Sequence, residues 1–150
     1  MDEQIWKIIE DQFRRFPNAM AAPVDALEFD GLIGVDGRRI DKGYREFVLR
    51  FGGGIVGAVP IYGLRRAKFM GTIGGAATAL EVTEWFRRNR WPGVEKWLLF
   101  SSDQGGNPIG FDTDGMVWLS DQLDYKQVVQ LASSFEEYLR KWCLMLGGEQ

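Results

Sequence analysis

The residues best suited to binding or catalysis are acidic, and they lie in one short stretch of the chain. Positions 95–125 hold six Asp or Glu residues and a single Lys, which gives this stretch a local charge of −5. Asp112 and Asp114 lie two positions apart near the end of an expected strand, so their carboxylates could share a face and bind a divalent cation or exchange protons. The same spacing is typical of a tight turn, because Asp before Gly115 tolerates unusual dihedral angles and bonds its own backbone.

Several classes of chemistry are excluded by residue type. The 150-residue chain contains no His, which removes catalysis by Ser-His-Asp and Cys-His groups and zinc sites built on imidazole. The single Cys143 cannot form an internal disulfide or a paired redox motif. The spacing of an EF-hand loop fails after Asp112, since Val117 stands where the loop needs Gly. We therefore expect no cofactor, no metal and no catalytic residues.

Two further motifs have simpler structural interpretations. Gly52, Gly54 and Gly57 match the spacing of a dinucleotide-binding loop, but they follow an expected helix and lead into a strand, the reverse of that site. They favour a helix stop. Basic clusters at 65–68 and 87–90 could meet phosphates, yet the formal net charge is −3 and no basic field covers the chain. Nucleic acid is therefore not an expected partner.

The elements that must position the acidic residues can be read from hydrophobic periodicity. Apolar residues at helical spacing predict helices near 5–16, 41–51 and 77–88, with Pro17 ending the first. A closing helix begins at overlapping Ser-x-x-Glu capping boxes at Ser133 and Ser134, and Trp142 is expected to pack inward on it.

The strands follow from runs with a period of two. The apolar run 55–62 predicts one strand with Pro60 at a bulge or edge. From residue 97 onward, turns at 105–107 and 114–115 separate three runs and predict an antiparallel meander, with one more strand near 128–131. The Asp36-Gly37 pair indicates a turn between short extended pieces.

This order of elements is not the alternation of a doubly wound sheet. The sequence predicts a single α+β domain over residues 1–150, with a mainly antiparallel sheet and a central meander packed against about four helices. No apolar run approaches the roughly 20 residues that cross a bilayer, and no secretory leader is visible at the start. We expect a cytoplasmic protein with no membrane partner.

Several segments together resemble the SUKH superfamily. In the first half these are Ile40-Asp41, Tyr44-Arg45, Phe47-Val48, Phe51-Gly52-Gly53-Gly54 and Tyr62-Gly63-Leu64. In the second half they are Trp97 to Phe100, Asp103-Gln104-Gly105-Gly106-Asn107, Asp112-Thr113-Asp114-Gly115, Val117, Asp121 and Ala132 to Leu139. The similarity spans residues 40–140. Asp41 stands where the family has Pro, and Gly52 where it has Asn.

The resemblance implies an α+β fold without an active site. In bacteria it implies an immunity protein that binds and blocks a cognate toxin, often a nuclease, whereas fungal relatives regulate the cell wall. A nuclease carries a basic cleft for phosphates, and a concentrated acidic surface could dock there. The residues predicted to contact the toxin are Asp103, Asp112, Asp114, Asp121 and Asp124.

Two other functions remain open from the sequence. A housekeeping scaffold module could recognise an endogenous protein or small ligand through the same sheet. An enzyme could use Asp112 and Asp114 as a metal-dependent pair. The sequence leaves the oligomeric state undetermined.

Overall fold

The computed structural model describes residues 1–34, 37–122 and 127–146. The helices are α1 (Glu3–Arg15), α2 (Ala26–Leu32), α3 (Lys42–Phe51), α4 (Ala79–Arg88) and α5 (Phe135–Tyr138), and α5 continues into a π-helical turn at Leu139–Cys143. The strands are β1 (Gly54–Val56), β2 (Val59–Ile61), β3 (Leu98–Ser102), β4 (Pro108–Phe111), β5 (Val117–Asp121) and β6 (Gln127–Ala132). Short 3-10 turns lie at Pro17–Ala19 and Val94–Lys96.

The strands form one sheet in which each strand pairs with the next along the chain. The order is β1-β2-β3-β4-β5-β6, and every pair is antiparallel. The meander predicted from residue 97 onward is therefore confirmed, as is the α+β fold class. The ladder between β2 and β3 has one paired position, Ile61 with Ser101, and the amide of Tyr62 donates to the carbonyl of Phe100 beside it.

One face of the sheet is held by buried aromatic rings. Tyr44 of α3 lies in contact with Phe100 and Phe111 of the sheet and with Phe135 of α5, at centroid distances of 5.2 to 5.6 Å. Its hydroxyl donates to the carbonyl of Tyr62 at 2.7 Å, so the one polar atom of this ring is satisfied. This face fixes α3 and α5 on the sheet.

The opposite face is covered by the chain between α4 and β3. Trp118 of β5 stacks on Trp97 at 6.3 Å between ring centroids, and the Ser120 hydroxyl donates to the carbonyl of Pro92. The helix α4 packs beside β3, where the Thr83 hydroxyl accepts the amide of Leu99 at 2.9 Å. The sheet is thus enclosed on both faces along most of its length.

Two elements differ from the sequence-based predictions. The run 55–62 is a hairpin rather than one strand, because Gly57 adopts φ +63 and reverses the chain. The helix α2 lies in the stretch expected to be extended; its first turn is capped by Asp25, whose carboxylate accepts the amide of Leu27. The predicted turn at Asp36-Gly37 includes Asp36, which lies outside the described residues.

The two edges of the sheet have different surroundings. At the β1 edge, Met20 forms a bridge with Gly54, and the amide of Ala21 donates to the carbonyl of Gly53 at 3.0 Å. At the other edge, β6 pairs with β5 alone, and its residues Gln127 to Gln130 are exposed.

Within the described part of the chain, no helix has the length and apolar character needed to cross a membrane.

Candidate functional site

The meander divides the acidic stretch between its two ends. Asp103 follows β3 and Asp121 ends β5, so both lie at one end of the sheet; Asp112 and Asp114 lie in the β4–β5 turn at the other. Val117 and Asp121 are four residue steps apart, which at about 3.4 Å each separates the ends by roughly 14 Å. Among the described residues, Asp103 and Asp121 therefore do not share one acidic surface with Asp112 and Asp114, contrary to the expectation from the sequence. Asp124 lies outside the described residues.

Asp112 is fully occupied by its own turn. One carboxylate oxygen accepts the amides of Asp114 and Met116 at 2.8 and 3.0 Å, and the other accepts the indole N–H of Trp118 at 2.8 Å. The amide of Gly115, which has φ +89, donates to the Asp112 carbonyl and completes the turn. This carboxylate closes the β4–β5 hairpin and orients Trp118.

Asp103 plays a similar part in the β3–β4 turn. Its two carboxylate oxygens accept the backbone amide and the side-chain amide of Asn107 at 2.8 and 3.0 Å. Unlike Asp112, it also lines an open surface, described next. Its charge can therefore act on a partner while its hydrogen bonds hold the turn.

Asp114 and Asp121 differ in setting. Asp114 is exposed at the tip of its turn, whereas Asp121 is half-buried and is paired across the sheet with Gln127. Among residues 1–34, 37–122 and 127–146, no three His, Cys, Asp or Glu side chains are arranged to hold a metal ion. The bonds made by Asp112 are those of a turn residue.

An apolar groove lies at the end of the sheet that carries Asp103 and Asp121. Its floor is made of Ile109, Leu119 and Leu131, and its volume is about 450 Å³. Its walls are formed by the β1–β2 hairpin at one side and the chain after α5 at the other, with lining residues Ala58, Val59, Pro60, Tyr138, Trp142, Cys143 and Met145. Ser102, Asp103 and Gln104 form its polar rim.

Asp121 lies near this rim, at the end of the strand that carries Leu119. Leu119 faces the groove, and side chains two residues apart on a strand share a face, so Asp121 lies just beyond Leu119 on that face. The groove is thus apolar at its centre and has the carboxylate of Asp103 on its rim, with Asp121 at the same end of the sheet. This is the pattern of a protein-binding surface, with an apolar centre and a polar rim.

Trp142 is the largest exposed side chain of the groove. It is 45% exposed, and its indole N–H donates to the carbonyl of Leu131 at 3.3 Å. The prediction that Trp142 packs inward is wrong, because α5 changes to a π-helical turn at Leu139–Cys143 and shifts the positions that follow. Exposed Trp anchored by one hydrogen bond is the residue type most enriched at binding hot spots.

The polar groups beneath the groove are satisfied internally. The Ser101 hydroxyl donates to the carbonyl of Pro60 and lies 2.8 Å from the hydroxyl of Tyr138. Burial raises the pKa of the Cys143 thiol to about 12 and also raises the pKa of Tyr138, so both groups are protonated at neutral pH. These groups support the groove floor and carry no charge into it.

Sequence reasoning missed the groove because its residues come from six separated segments. The apolar residues Ile109, Leu119 and Leu131 have core character, and nothing in the sequence shows that α5 stops short of covering them. One signal was available: Trp142 and Met145 continue as apolar residues beyond the last capping box, past the length that the closing helix needs.

Comparison with known proteins places this architecture in one family. Residues 29–141 match the model of the SMI1 / KNR4 family (SUKH-1), which covers more than half of the chain. None of the curated proteins compared with the chain matches it. The match confirms the resemblance that the sequence segments indicated.

Proposed function

Since the chain belongs to the SMI1/KNR4 (SUKH-1) family, we propose that it is an immunity protein that binds a cognate bacterial toxin in the cytoplasm and neutralises it by occlusion. It acts by covering the toxin's working surface and performs no chemistry of its own. The observation that carries this proposal is the apolar groove with Trp142 at its wall and Asp103 on its rim.

The groove supplies the affinity in this proposal. A protein partner that inserts an apolar side chain between Trp142 and the floor residues would remove apolar surface from water at about 25 cal/mol per Å². Trp142 is already oriented by its bond to the Leu131 carbonyl, so little side-chain freedom is lost on binding. We expect Trp142 to be the anchor residue of the interface.

The rim supplies the selectivity for a basic partner. Asp103 and Asp121 bring negative charge to the same end of the groove, which attracts the cationic cleft of a nuclease and speeds the encounter. Of the five aspartates predicted to contact the toxin, these two fit the groove. Asp112 and Asp114 lie at the far end of the sheet and are assigned to the hairpin turn.

The test uses the toxin encoded beside the gene for this protein. Co-expression of the two should restore growth to cells that the toxin alone kills, and the purified proteins should form a complex whose affinity falls as salt rises. Trp142→Ala should weaken that complex at least about 100-fold, as expected for a hot-spot aromatic residue.

Charge reversal at the two ends of the meander provides the matched comparison. Asp121→Lys should slow association and lower the affinity, whereas Asp114→Lys makes the same charge change about 14 Å or more away and should leave both unchanged. Equal effects of the two substitutions would contradict the placement of the toxin at the groove. Normal growth of toxin-expressing cells without this protein would contradict the immunity function itself and leave the housekeeping module as the explanation.

A further inference from the structure

The free edge of β6 is the least protected part of the described surface. Its first four residues, Gln127, Val128, Val129 and Gln130, are exposed and uncharged. An edge strand leaves every second residue's N–H and C=O unpaired, and proteins usually guard such an edge with Lys, Pro, a bulge or a covering segment. Within the described part of the chain, none of these protects Gln127 to Gln130, because the bulge between β5 and β6 comes later, beside Val117.

The same strand is closed at its far end, which defines the length of the free edge. The indole N–H of Trp142 donates to the carbonyl of Leu131, and the Gln130 side-chain amide contacts the sulfur of Met116 at 3.7 Å. The opposite edge of the sheet, at β1, is covered by Met20 and Ala21. Among the described residues, the edge at Gln127 to Gln130 is therefore less protected than the edge at β1.

Exposed apolar side chains concentrate around this edge. Of the nine large apolar side chains that are exposed in the described residues, four belong to β6 or to the chain beside it: Val128, Val129, Trp142 and Met145. Unpaired backbone groups flanked by apolar side chains are satisfied by another extended strand. The occupant must bring hydrogen-bonding groups in the same spacing, which a flat ligand or a helix does not.

We propose that β6 pairs with β6 of a second copy of this chain and joins the two sheets into one dimeric sheet. A two-fold axis perpendicular to the sheet relates the two antiparallel strands, so the same face of each sheet points in the same direction. Residues that lie opposite each other must therefore belong to the same face. With the axis at Val129, Val129 meets its own copy, and Val128 lies opposite the partner's Gln130.

The chemistry of the strand fits its own copy. The pairing places Val128 opposite the partner's Gln130 and stops before Leu131, and β6 contains no charged residue that could lie opposite another. Val129 is 42% exposed and pairs with Leu119, whose side chain lines the groove, so the two grooves lie on the same side of the joined sheet. This inference goes beyond the proposed function, since dimerisation needs no toxin.

The experiment measures the mass of the purified full chain in solution. Analytical ultracentrifugation over about a hundredfold dilution series should show twice the monomer mass at high concentration, with dissociation on dilution. Val129→Lys puts two ammonium groups face to face on the axis and should raise the dimer dissociation constant at least about 100-fold. Its thermal unfolding as a monomer is recorded alongside to show that the fold is retained.

Two controls make the result specific. Leu27→Lys adds the same charge at an apolar residue of α2 that is 84% exposed, and it should leave the dimer intact. Val129→Thr keeps an uncharged β-branched side chain and should also remain dimeric. A wild-type chain that stays monomeric across the series, or a dimer that survives Val129→Lys, would overturn the proposal. Because no toxin enters the experiment, its outcome is independent of the immunity function.

Discussion

The two edges of the sheet meet the rest of the protein in different ways. The β1 edge is closed by its own chain: Ala22 lies so near Gly52 that an added Cβ would be 1.9 Å from the Ala22 carbonyl oxygen, and the carbonyl of Cys143 lies equally tightly over Gly57. The start of β6 has exposed backbone and uncharged side chains. The β1 edge therefore contributes to the stability of the fold, whereas the β6 edge is available for contact with another molecule.

This difference predicts where substitutions should lower the stability of the fold. Around β1, backbone segments approach Gly52 and Gly57 so closely that no side chain fits at these two positions. Protein interiors are packed at the density of an organic crystal, so there is little room to adjust. Around β6, side chains can be exchanged with little effect on folding, so that their identity reports on binding. Four substitutions separate these expectations, beginning with the largest effect on stability.

Gly52→Ala should destabilise the closed side by more than about 3 kcal/mol, because the residue has φ +77 and its Cβ would collide with backbone. For a domain of this size that corresponds to a fall of about 10 °C in Tm. The matched control is Gly75→Ala, where φ is +89 but nothing lies within 4 Å; it should cost only about 1 kcal/mol. If both substitutions lower the Tm equally, the close approach of the Ala22 backbone to Gly52 does not contribute to stability.

Asp112→Ala should cost about 2 kcal/mol, since it removes the acceptor of two backbone amides and of the Trp118 indole. The loss falls on β5, the strand that pairs with β6. Hydrogen exchange should therefore accelerate in β5 and β6 more than in β1 and β2. Asp114→Ala, in the same turn but exposed, serves as the control and should change stability by less than about 0.5 kcal/mol.

Acid should weaken the junction between β6 and α5. The amide of Ser133 donates to Glu137 at 2.6 Å, and this bond, helped by Lys141, lowers the pKa of Glu137 below its ordinary value of 4.5. A carboxylate whose pKa is lowered by folding stabilises the fold above 4.5, and this contribution disappears as the pH falls through the folded-state pKa. Glu137→Gln should lose less stability than the wild type between pH 6 and pH 3 in denaturant titrations.

Val129→Thr should have the smallest effect, a change in monomer stability within about 0.5 kcal/mol, because the side chain is exposed and the replacement is β-branched. Urea unfolding at a dilution where the protein is monomeric measures it. A cost of several kcal/mol there would show that the β6 edge is packed in the monomer and would remove the contrast with β1.

The sequence predicted most of the fold because its periodicities are strong. The apolar spacing of α3 ends at three glycines, and Gly52 in fact caps the helix with a left-handed backbone. The helix α2 was missed because Phe29 is its only buried residue, although Asp25 and Glu28 have the spacing of a capping box. The hairpin at 55–62 was missed because Gly57 was assigned to the strand.

The candidate site was harder to predict, and the reason is topological. Consecutive turns of a meander lie at opposite ends of the strands, so the turns at Asp103 and Asp112 cannot meet however close they are in sequence. Proximity along the chain was mistaken for proximity in space. The groove depends on where α5 gives way to a π-helical turn, a change at Leu139 that no residue pattern indicates.

The burial of the Cys143 thiol determines how the protein should react with alkylating reagents. Cys143 ends the π-helical turn at the groove wall, and with its pKa raised to about 12 it presents almost no thiolate at neutral pH. Alkylating reagents should therefore react with it only when the C-terminal segment lifts off the sheet. The rate at which Cys143 is alkylated therefore measures how often this segment opens. A toxin bound across Trp142 should lower that rate.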